Sequence, residues 1–494
     1  RTESMSLHGK NKIYLDETRS VEERAKDLLL DMSLEEKMAQ VNCVFPFDKK
    51  AMDLAWIAER VPYGIGEVST LEMRRIPTLQ GAAQWVKDVQ TLVMEKSPHH
   101  IPAIFHMEGL CGAFIQEATS FPSGIARGAS FDPDLEEQIG SCVAEQELAC
   151  GITHILAPVL DISRDSRMGR QGESYGEDPA LASAMGVAYT KGIQETSVDG
   201  RQAESVAKHF LAFHNSQGGI HGTHSDTPER LLQEIYGKPF QAAIKEAGLR
   251  GIMPCYCSID GEPASLSHKL LTDLLREQMG FDGLCISDYG GIENSHNYQR
   301  IGESMADAGE MALAAGMDVE MPSPAGYGKE LQERFANQAL DIGVLDQAVY
   351  RVLCAKFRMG LFEHPYPLMD DKLENVYRKA DKGKQLTRQS AMESMTLLKN
   401  DGILPLRKDK IKKIAVIGPH ADNARMFFGG YTHISMMESI YAVANSIAGV
   451  AGIENTTGKT IPTVPGTDIQ LDQGEEYDAI LRTQKPDCPS LLEY

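Results

Sequence analysis

Residues 280–291 read GFDGLCISDYGG. An apolar run, Leu284-Cys285-Ile286, stops at Ser287 and Asp288, and an aromatic and two glycines follow. A strand without polar alternation is buried on both faces, which is the mark of a parallel sheet covered by helices. Similar runs stand at YGIGEVST (63–70), PAIFH (102–106), THILAPVLDI (153–162), SVAKHF (205–210), GIMPCY (251–256) and GMDVEM (316–321). Amphipathic stretches such as DPDLEEQIGSCVAEQELA (132–149) and TPERLLQEIYGKPFQAAIKEAG (227–248) separate them. The fold class is therefore α/β. About eight strand–helix units fit before residue 360, which predicts a (β/α)8 TIM-like barrel rather than an open sheet.

Most of these runs end in chemically able side chains: His106 and Glu108, Asp161, Lys208 and His209, Tyr256, Asp288, Glu320. Their beginnings are small or apolar. Ligands in parallel α/β folds sit at the carboxyl ends of the strands, so a site is predicted there.

Residues 1–20 read as an N-terminal extension and 21–360 as the barrel. The first helix is predicted from MSLEEKMAQV, where Ser33 and Glu36 have capping-box spacing. The polar, proline-bearing stretch 361–386 reads as a linker. A second domain is expected over 387–494. It would open with a helix in LTRQSAMESMTLLKN and continue with a strand and turn at KKIAVIGPHAD (412–422). That turn lacks G-x-G-x-x-G spacing and a Walker lysine, so nucleotide binding is not expected. Roughly a hundred residues are few for a complete α/β layer, so the expectation is a partial α/β sandwich. The rest would come from downstream residues, another copy in a homo-oligomer, or a second polypeptide.

The 494 residues are 42% hydrophobic and 24% charged, with a net charge of -21. An acidic surface repels phosphate backbones and anionic lipid, so neither nucleic acid nor membrane is an expected partner. The nine cysteines are odd in number and mostly lie in apolar runs. They read as buried, reduced thiols of a cytoplasmic protein. The opening RTESMSLHGKNK has no apolar stretch of the kind a secretory leader carries, so none is expected and Met5 is read as the natural start.

Asp288 is the leading candidate for chemistry. Most aspartates after strands are caps or loop residues. This one ends an unalternating strand, beside Tyr289 as a flat hydrogen-bonding wall and two glycines that let a ligand approach the backbone. Lys208 and His209 close another strand. Alternation would send one to the axis and the other to a neighbouring loop, and a lysine there predicts a nearby carboxylate. The loop LDISRDSRMGRQGESYGEDP (160–179) mixes Arg164, Arg167 and Arg170 with five carboxylates. Such loops mostly fix their own shape, with room for one arginine to reach a site as a fork. Glu108 follows an apolar strand and could accept two hydroxyls. No metal or other cofactor is expected: H-x-x-x-H, H-E-x-x-H and calcium-loop patterns are missing. The three histidines of HNSQGGIHGTHSD (214–226) sit in a glycine-rich loop better suited to closing over a ligand.

ATSFPSGIARGASFDPDLEEQIG, APVLDISRDSRMGRQGESYGEDP, AKHF, IMPCYCSIDGEP, LLREQMGFDGLCISDYGGI, AAGMDVEMP and AVIGPHADN stand in that order between residues 118 and 423. Together they resemble glycoside hydrolase family 3, with the similarity running over about residues 20 to 440. The resemblance implies a barrel followed by an α/β sandwich, and removal of terminal β-linked sugars with retained configuration. It makes Asp288, in S-D-Y, the nucleophile. It makes Lys208 and His209 the pair gripping sugar hydroxyls, Arg170 the end of the R-D-x-R-x-G-R motif, Tyr256 a site tyrosine and Glu108 the acid on the outer hydroxyls.

Many glucosidases of the family carry aspartate where Glu108 stands. The extra methylene reaches toward the space of a C6 hydroxymethyl, which suits a pentose and sets β-xylosides beside β-glucosides. The acid/base of the glucosidase branch has no matching motif here; Glu438, Glu454, Glu475 and Glu476 are glutamates without one. In the branch acting on N-acetylglucosaminides, a loop His and Asp take that role. His221 stands at a comparable distance from Lys208, with Gly219 in the aspartate's place. A catalytically silent sugar-binding or regulatory barrel is the rival from another class.

Overall fold

The computed structural model describes residues 12–46, 52–378, 380–418, 420–422 and 424–436. Its centre is a seven-stranded sheet: β1 (Cys43–Val44), β2 (Glu67–Ser69), β3 (Ile104–Met107), β4 (His154–Ile155), β5 (Glu204–Phe210), β6 (Gly251–Pro254) and β7 (Leu284–Cys285). The strands lie side by side in chain order, every pair parallel. Strand β1 is not among the expected runs, because two residues behind a helix carry no periodicity of their own. GMDVEM forms isolated bridges instead of a strand: Val319 pairs Ile286 beyond β7, and Glu320 pairs Asn42 before β1. Residues 319–320 thus touch both edges of a curled sheet.

Every residue of β5 is buried, as a sheet covered on both faces requires. Side chains alternate, so residues two apart share a face. Cys43, Ile104, Leu156, Val206, Met253, Leu284, Ile286 and Val319 form one apolar cluster inside the curl. Their neighbours Phe105, Ile252 and Cys285 belong to clusters that the sheet shares with the outer helices. Inward direction is then settled along each strand. Glu204 and Lys208 flank Val206, His106 follows Ile104, and Asp288 follows Ile286, all at steps of two. The apolar interior leads up to a polar end.

Helices Val21–Asp31 and Leu34–Gln40 both begin with reciprocal capping boxes, Ser20 with Glu23 and Ser33 with Glu36. Each box satisfies two of the free N–H groups at a helix start. No helix among the described residues is long and apolar enough to cross a membrane. The eight described cysteines are buried and unbridged.

The expected linker is a correction. Within 361–386 the chain forms helix Asp370–Arg378 and enters helix Ala380–Glu393. Leu373, Val376 and Tyr377 recur at helical spacing and pack on the cluster around helix Leu79–Lys96, and Leu386 is buried too. The charges of this stretch cover the other face. The strand expected within 412–422 is not formed: residues 411–417 have no regular structure, and Ile417 is 91% exposed. A strand needs a neighbour's backbone, and the described residues supply none beside it. Residues 437–494, with all four unplaced glutamates, lie outside the described residues.

Candidate active site

Asp288, Glu108, Arg170, Lys208, His209, Tyr256 and Tyr289 all line one cavity of about 280 Å³ at the carboxyl ends of the strands. Three groups fix the turn after β7. The Tyr289 N–H donates to Asp288 Oδ1 at 2.7 Å, the Tyr256 hydroxyl donates to the Tyr289 carbonyl at 2.8 Å, and the Gly290 N–H donates to the Met321 carbonyl at 2.9 Å. Gly290 holds φ at +69°, a left-handed conformation that glycine takes without strain. The Asp288 side chain keeps 14% exposure, and Oδ2 is 3.7 Å from His209 Nε2. Burial and the Asp288 charge push the Tyr256 phenol far up, so it acts as a neutral donor.

Lys208 and His209 both reach the cavity, where alternation had separated them. The register of β5 against β6 shifts between Lys208 and Phe210, and such a bulge re-aims one side chain. Lys208 has its carboxylate, with Nζ 2.5 Å from Glu108 Oε2. Burial pushes the Glu108 carboxyl up, and the lysine works against that shift.

The mixed-charge loop divides as expected. Arg167 pairs Asp165 at the surface, whereas Arg170 turns inward, held as a fork by Glu173 at 2.7 and 2.8 Å. Its Nη2 lies 3.2 Å from His209 Nε2 and its Nη1 3.3 Å from His221 Nε2. A guanidinium only donates, so both ring nitrogens accept. The His209 proton then sits on Nδ1 and goes to Asp161 Oδ2 at 2.7 Å. Burial, then Arg170 and Lys208, hold His209 well below its ordinary value, so the ring is neutral. Burial, with the Glu173 charge in the same sense, pushes Asp161 up to about 8 against Arg170 and the His209 N–H, and its Oδ2 accepts the Nδ1–H.

Several neighbours were not singled out from sequence. Tyr431 closes the cavity with its ring 5.4 Å from Lys208 Nζ. Phe45, Leu71 and Met436 add apolar wall. An aromatic behind Gly429-Gly430 was the one available signal for Tyr431. His106, already marked at its strand end, lies at the floor, with Nε2 2.8 Å from the Tyr289 hydroxyl. Of the three loop histidines, His221 lines the cavity, His214 is buried near Asp161 and His224 pairs Asp226 outside. Glu320 is not part of the site. It accepts the N–H groups of Ala325, Gly326 and Tyr327 at 2.7–2.9 Å and shapes a turn. Among the described residues no cluster of His, Cys, Asp or Glu could hold a metal ion.

Residues 33–355 match the Glycosyl hydrolase family 3 N terminal domain, and 395–485 the Glycosyl hydrolase family 3 C-terminal domain. A β-xylosidase from Formosa agariphila is 36% identical over 349 residues, covering 67% of this chain and 48% of its own length. The solved structure of a β-glucosidase from Erythrobacter marinus has a TM-score of 0.77 at 30% identity, over 88% of this chain and 58% of that one. The β-glucosidase from Listeria innocua in complex with glucose has a TM-score of 0.73 at 30% identity, over 83% and 56%. This chain spans about half the length of these relatives.

Proposed function

The chain belongs to glycoside hydrolase family 3, and from that premise we propose an exo-acting, retaining β-glycosidase that removes terminal β-D-xylosyl or β-D-glucosyl residues. One observation carries the reading. The Asp288 carboxylate opens into a cavity whose walls are the Glu108–Lys208 pair, His209, Arg170 and two tyrosines, a set of donors and acceptors suited to the hydroxyls of a pyranose. In the same reading the curled sheet is a (β/α)8 barrel closed through residues 319–320, and residues beyond 387 begin a sandwich domain.

Asp288 attacks the anomeric carbon as the leaving oxygen departs, giving a glycosyl-aspartate. Water then attacks the anomeric carbon from the face the leaving oxygen vacated, opposite Asp288; the bond to Asp288 breaks, its carboxylate is released, and the second inversion restores the β configuration. Glu108, Lys208 and the Arg170–His209 contact hold the ring so that binding becomes orientation. The group that protonates the leaving oxygen is left unassigned. The names of the relatives bring both xyloside and glucoside to this chain, and Glu108 tips the choice toward xyloside.

The test is covalent trapping. A 2-deoxy-2-fluoro-β-D-xylosyl or -glucosyl fluoride should add one sugar mass to the peptide carrying Asp288. Asp288→Asn should neither gain the mass nor hydrolyse 4-nitrophenyl glycosides. A folded chain that binds sugar without gaining the mass would support the silent sugar-binding rival.

A further inference from the structure

Beneath the cavity the strand register assembles a buried polar row. His106 on β3 pairs His154 on β4, and His154 pairs Glu204 on β5. Ser69 on β2 pairs His106, and Glu67 lies two residues below Ser69 on the same inward face. Each is at most 3% exposed. Glu67 takes His106 Nδ1 at 2.8 Å and faces His154 Nδ1 at 3.2 Å. His106 Nε2 meets the Tyr289 hydroxyl at 2.8 Å, and Ser69 Oγ meets the same hydroxyl at 2.5 Å.

Burial disfavours a charged Glu67, yet His154 and His106 outweigh it and hold the carboxyl at about 2. An ionised Glu67 fixes the His106 proton on Nδ1. The other ring nitrogen, Nε2, then faces the Tyr289 hydroxyl, which Ser69 Oγ meets as well. Tyr289 is held at three points: its hydroxyl by His106 and Ser69, its carbonyl by Tyr256, and its N–H by Asp288 Oδ1. Gly290 and Gly291 follow directly and add no side-chain constraint, so the phenol supplies the stiffness that the backbone lacks.

We propose that Glu67 and His106 are positioning residues for the nucleophile, acting through the Tyr289 hydroxyl on the peptide that orients the Asp288 carboxylate. The inference rests on the glycosidase reading and adds two residues, Glu67 beneath the cavity and His106 at its floor, that act on the nucleophile through Tyr289. Misplacement of a reacting group lowers turnover more than ground-state binding.

The experiment is a double-mutant cycle with His106→Gln, Tyr289→Phe and the double variant, on 4-nitrophenyl β-D-xyloside and β-D-glucoside. Tyr289→Phe removes one oxygen and keeps the fold readable if His106→Gln does not fold. Losing one positioning hydrogen bond should lower kcat about tenfold, with KM within about twofold. The double variant should be no slower than the slower single one, because both remove the same contact. Losses that multiply to about a hundredfold, or a Tyr289→Phe enzyme with unchanged kcat, overturn the proposal. A wild-type chain without turnover fails the glycosidase reading instead. In that case the imidazole N–H resonances of 15N-histidine-labelled protein decide. Tyr289→Phe should shift the proton that His106→Gln abolishes, and an unmoved resonance overturns the clamp.

Discussion

Glu108→Asp separates two things the Glu108 carboxylate can do. Its Oε2 lies 2.5 Å from Lys208 Nζ, and its side chain keeps 15% exposure at the cavity wall. Removing one methylene draws the carboxylate back by one carbon–carbon bond, about 1.5 Å. Lys208 follows poorly: its side chain is 2% exposed, and the Tyr431 ring covers it at 5.4 Å. Widening the pair from 2.5 Å to about 4 Å weakens the attraction by about 2 kcal/mol at the effective dielectric of a protein site. That loss falls on any sugar held by Lys208 and Glu108, so it cancels in a ratio of two substrates. The vacated space is selective, because a glucoside has a hydroxymethyl to put there and a xyloside has none. Discrimination of that size in a pocket is worth about 10- to 200-fold. The assay is kcat/KM for 4-nitrophenyl β-D-glucoside over that for the β-D-xyloside. The ratio should rise about 10- to 200-fold in the aspartate variant, even as both constants fall. If both constants fall by one factor and the ratio stays put, Glu108 grips a hydroxyl common to both sugars and the pentose argument is wrong.

Two further predictions concern the buried charges below the site. Glu67 held at about 2 against an ordinary 4.5 contributes about 3 kcal/mol, present above pH 4.5 and lost as pH falls through 2. Burial opposes charge on His154, but Glu67 and Glu204 raise it from 6.5 to about 9, so its contribution is full below pH 6.5 and lost as pH rises through 9. Unfolding midpoints of Glu67→Gln should therefore lie furthest below wild type between pH 4.5 and 6.5 and converge toward pH 9; a deficit constant with pH contradicts the assignment. Lys356 is the opposite case: burial lowers it from 10.5 to about 7, so the unfolded chain binds the extra proton and stability drops as pH falls from 10.5 to 7. Lys356→Met should gain stability relative to wild type at pH 6 compared with pH 10, read as melting temperatures; equal differences at both values would refute it.

The inward course of Leu284, Ile286 and Asp288 was legible because a strand repeats every two residues and the run had no polar interruption. The convergence of Glu108 and Tyr256 was legible for the same reason, since strand ends share one rim, whereas Arg170, on a loop, was picked out by the resemblance of its motif. Lys208 and His209 show where the rule stops: a bulge leaves no signature in AKHF, and it brings to one cavity two side chains that alternation sets apart. The stretch 361–386 misled through composition, although Leu373, Val376 and Tyr377 already carried a helical period. His106 was singled out at its strand end, but its row with Glu67, His154 and Glu204 was unreadable for a different cause. Each lies in a largely apolar run, and its partner is set by the register of a strand dozens of positions away. Only the assembled sheet makes them neighbours.

The same assembly changes how the nucleophile's charge should be understood. In sequence, Lys208 and Arg170 look like the cations that keep Asp288 ionised. In the fold, Lys208 is committed to Glu108 and Arg170 to Glu173. Among the described residues no lysine or arginine stands in ion-pair contact with Asp288, and the one basic ring within 4 Å, His209 at 3.7 Å, is neutral. The carboxylate is thus held by hydrogen bonds, from the Tyr289 N–H above all, with the Arg170 charge acting on it from beyond ion-pair contact. A full ion pair would stabilise the resting enzyme and have to be weakened as the sugar bond breaks. A carboxylate without a direct ion pair gains most when positive charge grows on the anomeric centre, which is where an oxocarbenium-like transition state puts it. Catalysis needs interactions stronger at that moment than before it. Fixing Asp288 through the peptide of Tyr289, and Tyr289 through a buried histidine, orients the nucleophile without neutralising it.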